Sequence, residues 1–591
     1  MKKNYGLRYF SLGIVFVILA IAVISRLVQI QIGISHKEIE TYKQADGIAR
    51  ETLIPARGQI FDRQGNLLAG GKQIFSVALN LNEVRNPETI ATSVSIILGL
   101  EYNEIYALAS QDPSSAELTY ITLDSFATLE EFERLDDLQT QLFDDPEIAG
   151  SSADGKRHSL SGLVFDARLD RRYPEGALAS NVIGFINLIG ESTFGVEAGL
   201  ENLLSGVEKS ESYSLDPNRA LELPNVSPGA SVILTIDRTM QASVEEILDS
   251  AINQTGSQAG TIIVMHPRTG EIMAMASWPR MDINQFGKYF QEYDKTLPFN
   301  KALDTYEPGS VFKIITMAAG LDTNTVEPDT SYIVEASINI GGANVINWDG
   351  RAWGPQTMTG CMQHSLNVCL AWLAQQVGQT QFYEYVEAFD IGSPTGISLD
   401  NEPSGLIRLP HQTAWTESDL GRNSYGQSVS VTPLQMLKAL SSVANEGVMV
   451  RPRILHAVVD RGYQYEIAAE MAGTPISAET AQTLSEMLAV SLVEEASAAL
   501  LPHYRLAGKT GTASIPTTYG YDPNLTNASF VGWGPVDDPQ FMIYVWLEKP
   551  TISRWASAVA APVFRQVAEQ VVVLMDIPPD DVRLSMSSLG E

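Results

Sequence analysis

Three short stretches hold side chains that could do chemistry together. In the first, Tyr306-Glu307-Pro308-Gly309-Ser310-Val311-Phe312-Lys313-Ile314-Ile315-Thr316, a serine precedes a lysine by three positions. Pro308 and Gly309 break the chain. The apolar run that follows, through Ile314, Ile315, Met317 and Ala318, has helical character, so Ser310 is expected in the opening turn of a helix. Helical spacing puts Ser310 and Lys313 on one face, about 5–6 Å apart at Cβ. An amine held beside a hydroxyl can activate a serine nucleophile without histidine. Alone, however, Ser-x-x-Lys describes an ordinary serine cap followed by a surface lysine.

Two further stretches give the pair its meaning. Arg505-Leu506-Ala507-Gly508-Lys509-Thr510-Gly511-Thr512-Ala513-Ser514 is rich in small and β-capable residues. It reads as a strand whose interior glycine marks the close approach of a ligand backbone. Ser365-Leu366-Asn367 lies within Cys361–Leu370, just before the apolar run Ala371–Val377. Each stretch alone fits a turn or a polar helix face. Together, and in this order, they resemble the serine–lysine acyl-transfer set of penicillin-binding proteins and class A β-lactamases.

The elements around these stretches set limits. A chain of 591 residues is long enough for several domains, and 45% hydrophobic residues exclude global disorder. A net charge of −31 with no basic patch argues against nucleic-acid binding. Cys361 and Cys369 are too few for a disulfide framework or a metal site. On one continuous helix they would be about 12 Å apart, too far to bond, so they read as small buried thiols. The seven histidines show no metal-binding spacing, and neither a metal nor a cofactor is expected.

Lys2, Lys3 and Arg8 precede an uncharged run from Tyr9 to Ser25. Its 17 residues are the lower limit for crossing a bilayer, and the basic flank favours a cytoplasmic N-terminus. Ala20-Ile21-Ala22 resembles a signal-peptide cleavage site, but apolar residues continue past it, which favours an uncleaved anchor over 9–30. From 31 to 228 the chain reads as strand–turn–strand at Arg57–Ala69, helix at Glu88–Ser110 and an acidic surface loop over 144–161. Beyond Pro228-Gly229 a strand (Ser231–Ile236), a helix capped by Asp237 and a hairpin (Gly260–Met265 with Glu271–Ala276) come first. Thr432-Pro433 opens a helix, strands follow at Ala528–Gly534 and Gln540–Leu547, and a helix at Ala558–Leu574 closes the region. Strands first and last with helices between them indicate an α+β domain.

The chain resembles the class B penicillin-binding proteins, the monofunctional peptidoglycan transpeptidases, over nearly its whole length. Arg57–Ala69, Arg172-Tyr173-Pro174 and Gly199-Leu200-Glu201 resemble the motifs of that family's pedestal. Ser310 and Lys313, Ser365 and Asn367, and Lys509, Thr510 and Gly511 match its catalytic set. The resemblance implies a cytoplasmic stub (1–8), the anchor (9–30), an elongated mixed pedestal of dimerisation type (31–228), a transpeptidase domain (229–580) and a tail (581–591). The transpeptidase domain should hold an antiparallel sheet flanked by helices, plus a helical subdomain. No glycosyltransferase domain is visible.

The implied reaction is acyl transfer between stem peptides. Ser310 attacks the penultimate D-Ala carbonyl, and Lys313 takes its proton. For that Lys313 must be neutral, against an ordinary lysine pKa near 10.4; burial and the positive Lys509 are the means. Ser365 relays a proton to the leaving amine, and Asn367 holds Lys313 and the substrate amide. Lys509, Thr510 and Thr512 bind the terminal carboxylate, and the N–H groups of Ser310 and Thr512 stabilise the oxyanion. β-Lactams would be covalent inhibitors.

Asn367-Val368 and Tyr425–Pro433 are similar to the septal, FtsI-like branch, which implies a SEDS-type (FtsW-like) glycosyltransferase and other divisome membrane proteins as partners. The alternatives are an elongation-type transpeptidase and a non-catalytic divisome scaffold. A β-lactamase would lack the pedestal, and a β-lactam sensor would carry several membrane segments.

Overall fold

The structure is a computed structural model. It describes residues 55–114, 118–144, 155–187, 190–207, 227–287, 299–517 and 520–589, together with 48–53, 209–214, residue 150 and six positions between 17 and 25. Two compact units emerge. One comprises Arg57–Leu204 with Ala230–Glu591, and the other Met1–Ala56 with Ser205–Gly229. In the smaller unit, Ile48–Leu53 pairs antiparallel with Lys209–Ser214.

The larger unit is built around a five-stranded antiparallel sheet in the order Ile272–Trp278, Ala259–Met265, Phe541–Glu548, Gly520–Gly534 and Ala507–Thr517. Its central strands are continuous apolar runs, the pattern of a sheet covered on both faces. Alternation then sorts the side chains. Met542, Tyr544 and Trp546 enter one core, and Ile543, Val545 and Leu547 enter the other. Helices Arg238–Thr255 and Ala556–Leu574 cover the second face. On the first lie the Lys313–Asp322, Asn367–Val377 and Pro433–Ala444 helices. Asp237 caps its helix by accepting from the N–H groups of Thr239 and Met240, and Thr432 forms a capping box with Gln435.

A second sheet runs through both sequence regions. Its order is Tyr463–Glu466, Leu455–Asp460, Ser231–Leu234, Ile60–Phe61, Leu67–Asn80 and Tyr120–Ala127, with Leu163–Arg172 also paired to Leu67–Asn80. Ile60–Phe61 runs parallel to Ser231–Leu234, so backbone hydrogen bonds join residues on the two sides of position 228. Arg57 and Tyr173, from two of the stretches that resemble pedestal motifs, converge with Arg171 on Glu197, which is fully buried. Arg57 Nε donates to Glu197 Oε2 (2.7 Å), Arg171 Nε to Oε1 (2.6 Å) and the Tyr173 hydroxyl to Oε1 (3.3 Å). Arg57 Nη2 also reaches Glu201 Oε2 at 2.7 Å. Gly199 must be glycine, because a Cβ there would lie 2.6 Å from Ser398 O.

The helix expected over Glu88–Ser110 is two helices, Pro87–Leu98 and Tyr102–Ala109, separated at Gly99, whose φ of 73° ends the first. Half of the acidic 144–161 stretch and most of the 9–30 anchor lie outside the described residues. Val17, Leu19, Ile21, Val23 and Ile24 are helical and exposed. Ala556–Leu574 is long and apolar enough to cross a membrane by composition, yet Val559, Phe564, Val567 and Val571 bury it against the sheet as a core helix.

Candidate functional site

Ser310 lies in a single 3₁₀ turn, Gly309–Phe312, that runs directly into the Lys313–Asp322 helix. In a 3₁₀ turn residues i and i+3 eclipse, which sets Ser310 and Lys313 along one side. Gly309 has φ 55°, open to glycine at little cost. Its N–H donates to Gly426 O at 3.1 Å, tying the turn to the loop that contains Tyr425. Ser310 is half-buried at the mouth of a cleft of about 480 Å³ lined also by Ser365, Asn367, Thr510, Thr512, Trp348 and Tyr425.

Lys313 is fully buried, and its Nζ donates to Ser365 O (2.6 Å), Asn367 Oδ1 (2.8 Å) and Ser365 Oγ (3.2 Å). Among the described residues, none of these bonds runs to Ser310 Oγ. As a neutral amine, Lys313 can satisfy the two closest acceptors with its two hydrogens and keep a lone pair. Burial pushes the Lys313 ammonium well below its ordinary pKa; the positive Lys509 pushes the same way, and Glu495 opposes them. Ser365 Oγ lies 3.1 Å from Lys509 Nζ, so one hydroxyl bridges the two lysines.

Ser365 and Asn367 occupy the junction between helices Met358–Gln363 and Asn367–Val377. Ser365 has φ 53°, unusual for a residue with a Cβ and of the kind stored at functional sites at about 1–3 kcal/mol. Asn367 Nδ2 donates to Ile346 O at 3.0 Å, which turns its Oδ1 toward Lys313. The same break corrects the expectation for the cysteines. Cys361 and Cys369 are not free thiols on one helix but form a disulfide, with Cα atoms 6.1 Å apart. The break between the two helices at Ser365 brings the two cysteines within bonding distance.

Lys509, Thr510, Gly511 and Thr512 lie on the Ala507–Thr517 edge strand of the five-stranded sheet. A Cβ on Gly511 would sit 2.4 Å from Ser529 Oγ and 2.9 Å from both Pro308 O and Val311 Cγ2. The glycine therefore permits the approach of the Ser310 turn, where the sequence suggested a ligand backbone. Thr512 Oγ1 accepts from Ala556 N at 3.1 Å, which leaves its hydroxyl hydrogen free to donate.

All eight residues singled out in the sequence thus lie at or around one cleft. One member of the cluster was not anticipated. Glu495, at the end of helix Ala478–Glu495, accepts from both Lys509 Nζ and Thr510 Oγ1. Its only sequence signal is an acidic pair, Glu494-Glu495, placed at the unfavourable pole of a helix.

The chain is similar to known proteins over both of its regions. Residues 260–569 match the penicillin binding protein transpeptidase domain, and residues 52–228 the penicillin-binding protein dimerisation domain. Penicillin-binding protein PbpB of Mycolicibacterium smegmatis is 32% identical over 69% of this chain and 65% of its own length. Stage V sporulation protein D of Bacillus subtilis is 28% identical over 89% and 79%. This chain therefore spans slightly less than two thirds of the Mycolicibacterium relative. The crystal structure of penicillin binding protein 3 from Mycobacterium tuberculosis, complexed with aztreonam, superposes with TM-score 0.67 at 26% identity, covering 90% of this chain and 98% of that one. Penicillin binding protein 2X from Streptococcus thermophilus shares the fold at TM-score 0.73 and 22% identity, over 89% and 80%. The chain belongs to the penicillin-binding protein transpeptidase family, in the class that joins a dimerisation domain to the transpeptidase domain.

Proposed function

We propose that this protein is a peptidoglycan D,D-transpeptidase working through an acyl-enzyme on Ser310. The observation that carries the reading is a buried, deprotonation-prone Lys313 bonded to Ser365 and Asn367, one 3₁₀ turn from a cleft-facing serine. Ser310 Oγ attacks the penultimate D-Ala carbonyl as its proton passes to Lys313. The carbonyl carbon–nitrogen bond breaks, and the proton reaches the departing D-Ala amine through Ser365. An amine from a second stem then attacks the ester, loses its proton by the same route, and restores the Ser310 hydroxyl. Lys509, Thr510 and Thr512 receive the donor's terminal carboxylate. The N–H groups of Ser310 and Thr512 serve the oxyanion, where one donor is worth about 3–4 kcal/mol. The strand's approach to the Ser310 turn at Gly309 and Gly511 supports that pairing.

Purified protein given a D-Ala-D-Ala stem peptide and an amine acceptor should release D-Ala and form the cross-linked dimer. Ser310→Ala should do neither. Release of D-Ala with no dimer at saturating acceptor would make it a carboxypeptidase instead.

Asn367-Val368 and the Tyr425–Pro433 segment favour a septal role over elongation, with residues 9–30 as a single-pass anchor, the N-terminus cytoplasmic and a SEDS-type glycosyltransferase as membrane partner. A fluorescent fusion confined to mid-cell at division supports the septal assignment, and one spread along the side wall contradicts it.

A further inference from the structure

Helix Ala478–Glu495 ends in two acidic residues with no basic residue in its last turn, at the pole where negative charge is unfavourable. Glu494 is satisfied by the Gln363 side-chain amide. Glu495 is only 8% exposed and lines the catalytic cleft. Its Oε1 accepts from Lys509 Nζ and Thr510 Oγ1, two of the side chains assigned above to the donor's terminal carboxylate. Its Oε2 is buried with no hydrogen-bond partner.

The resting site therefore already holds a carboxylate against its anion-binding side chains. The Thr510 hydroxyl has one hydrogen, and Glu495 takes it. An incoming carboxylate meets Lys509 with its charge already paired, Thr510 with its donor already used, and a like charge beside both. The arrangement is also only half satisfied, because an unpaired oxygen on a buried carboxylate is costly. A group so held can be displaced.

We propose that Glu495 is an internal carboxylate occupying the anion subsite, and that it sets the site's selectivity by penalising ligands that bring a carboxylate of their own. Such a ligand must turn Glu495 away from Thr510 before it is gripped. A neutral ligand of the same shape need not. This assignment rests on the acyl-transfer reading of the cleft and extends it to ligand charge.

The test is acylation of the full-length protein by two thioester donors differing only at the terminus. One is a benzoyl-D-alanyl thioester of mercaptoacetic acid, and the other is its neutral mercaptoacetamide counterpart. Glu495→Gln removes the charge and keeps the shape. The acid-to-amide ratio of acylation rates should rise about tenfold in the variant, the scale of one partly screened like-charge contact. Both probes report on the same folded fraction, so the ratio does not depend on how much variant folds; Glu495→Ala should move it in the same direction. A ratio unchanged or lowered in both variants overturns the assignment. Ser310→Ala separates the two layers of argument. If it loses acylation by both probes while the Glu495 ratio stays flat, only the Glu495 assignment fails. If it is still acylated, the Ser310 reading fails.

Discussion

In the proposed reaction Lys313 has to accept a proton while enclosed by protein, and burial favours the neutral amine that this requires. Arginine cannot be deprotonated in a protein, so Lys313→Arg should lower β-lactam acylation, measured per folded molecule, by about 10²–10⁴-fold, the usual worth of general base catalysis. Acylation should fall as pH drops through the lowered Lys313 pKa, because the protonated amine cannot take the Ser310 proton. Lys509→Ala removes a positive neighbour that helps lower that pKa, so it rises and the acidic limb of the rate profile moves to higher pH. A limb that stays in place, or moves to lower pH, contradicts the coupling of the two lysines. At this scale the sequence was informative. Ser310, Lys313, Ser365, Asn367 and Lys509 are ordinary residues singly but rare in combination, and they meet around one cleft. Glu495 was not legible, because no spacing rule links the end of a helix to a side chain on a strand fourteen residues later.

The elements supply the precision these residues need. Gly511 allows the Lys509 strand to lie against the Ser310 turn. Gly511→Ala places a methyl group against Pro308 O, Val311 and Ser529, and should cost about 1–3 kcal/mol, with acylation reduced beyond what the lost stability explains. Urea unfolding and acylation rates, measured side by side, check this. Across the cleft, the Cys361–Cys369 disulfide spans the turn that carries Ser365. Replacing both cysteines by serine should lower stability by about 2–3 kcal/mol and speed amide exchange over 361–369. Unchanged exchange there would mean that the two helices hold the turn without the bond. The sequence missed the disulfide for a definite reason. Cys361–Leu370 reads as one helix, and nothing in Ser365-Leu366 announces a serine at positive φ that breaks it.

For the whole molecule, the boundary read near residue 228 marks a change in sequence character but not a gap in packing. Ser231–Leu234 pairs with Ile60–Phe61, and Gly199 packs on Ser398, so Arg57–Leu204 and Ala230–Glu591 share one compact unit. Such pairings are invisible in sequence because their strands are more than a hundred residues apart. The α+β architecture, by contrast, follows from local patterns: apolar strands at both ends of the catalytic region and capped helices between them. Glu197 holds Arg57 and Arg171 together within this unit. Glu197→Ala leaves the buried Arg171 guanidinium without a carboxylate and Arg57 with Glu201 alone, and should destabilise the protein by about 3–5 kcal/mol. The folded fraction should still acylate at the wild-type rate, since no catalytic side chain is touched; a stability loss below about 1 kcal/mol would show that the network is dispensable.

The proposed reaction makes Ser310 the nucleophile of a slowly deacylating enzyme. Its most direct test is to treat membranes carrying the full-length protein with a fluorescent penicillin, for wild type and Ser310→Ala, and to map the adduct by mass spectrometry of the digested band. A stable adduct is expected on the peptide containing Ser310, absent from the variant. A folded wild-type protein that takes no label, releases it rapidly, or carries it on another residue overturns the assignment of Ser310.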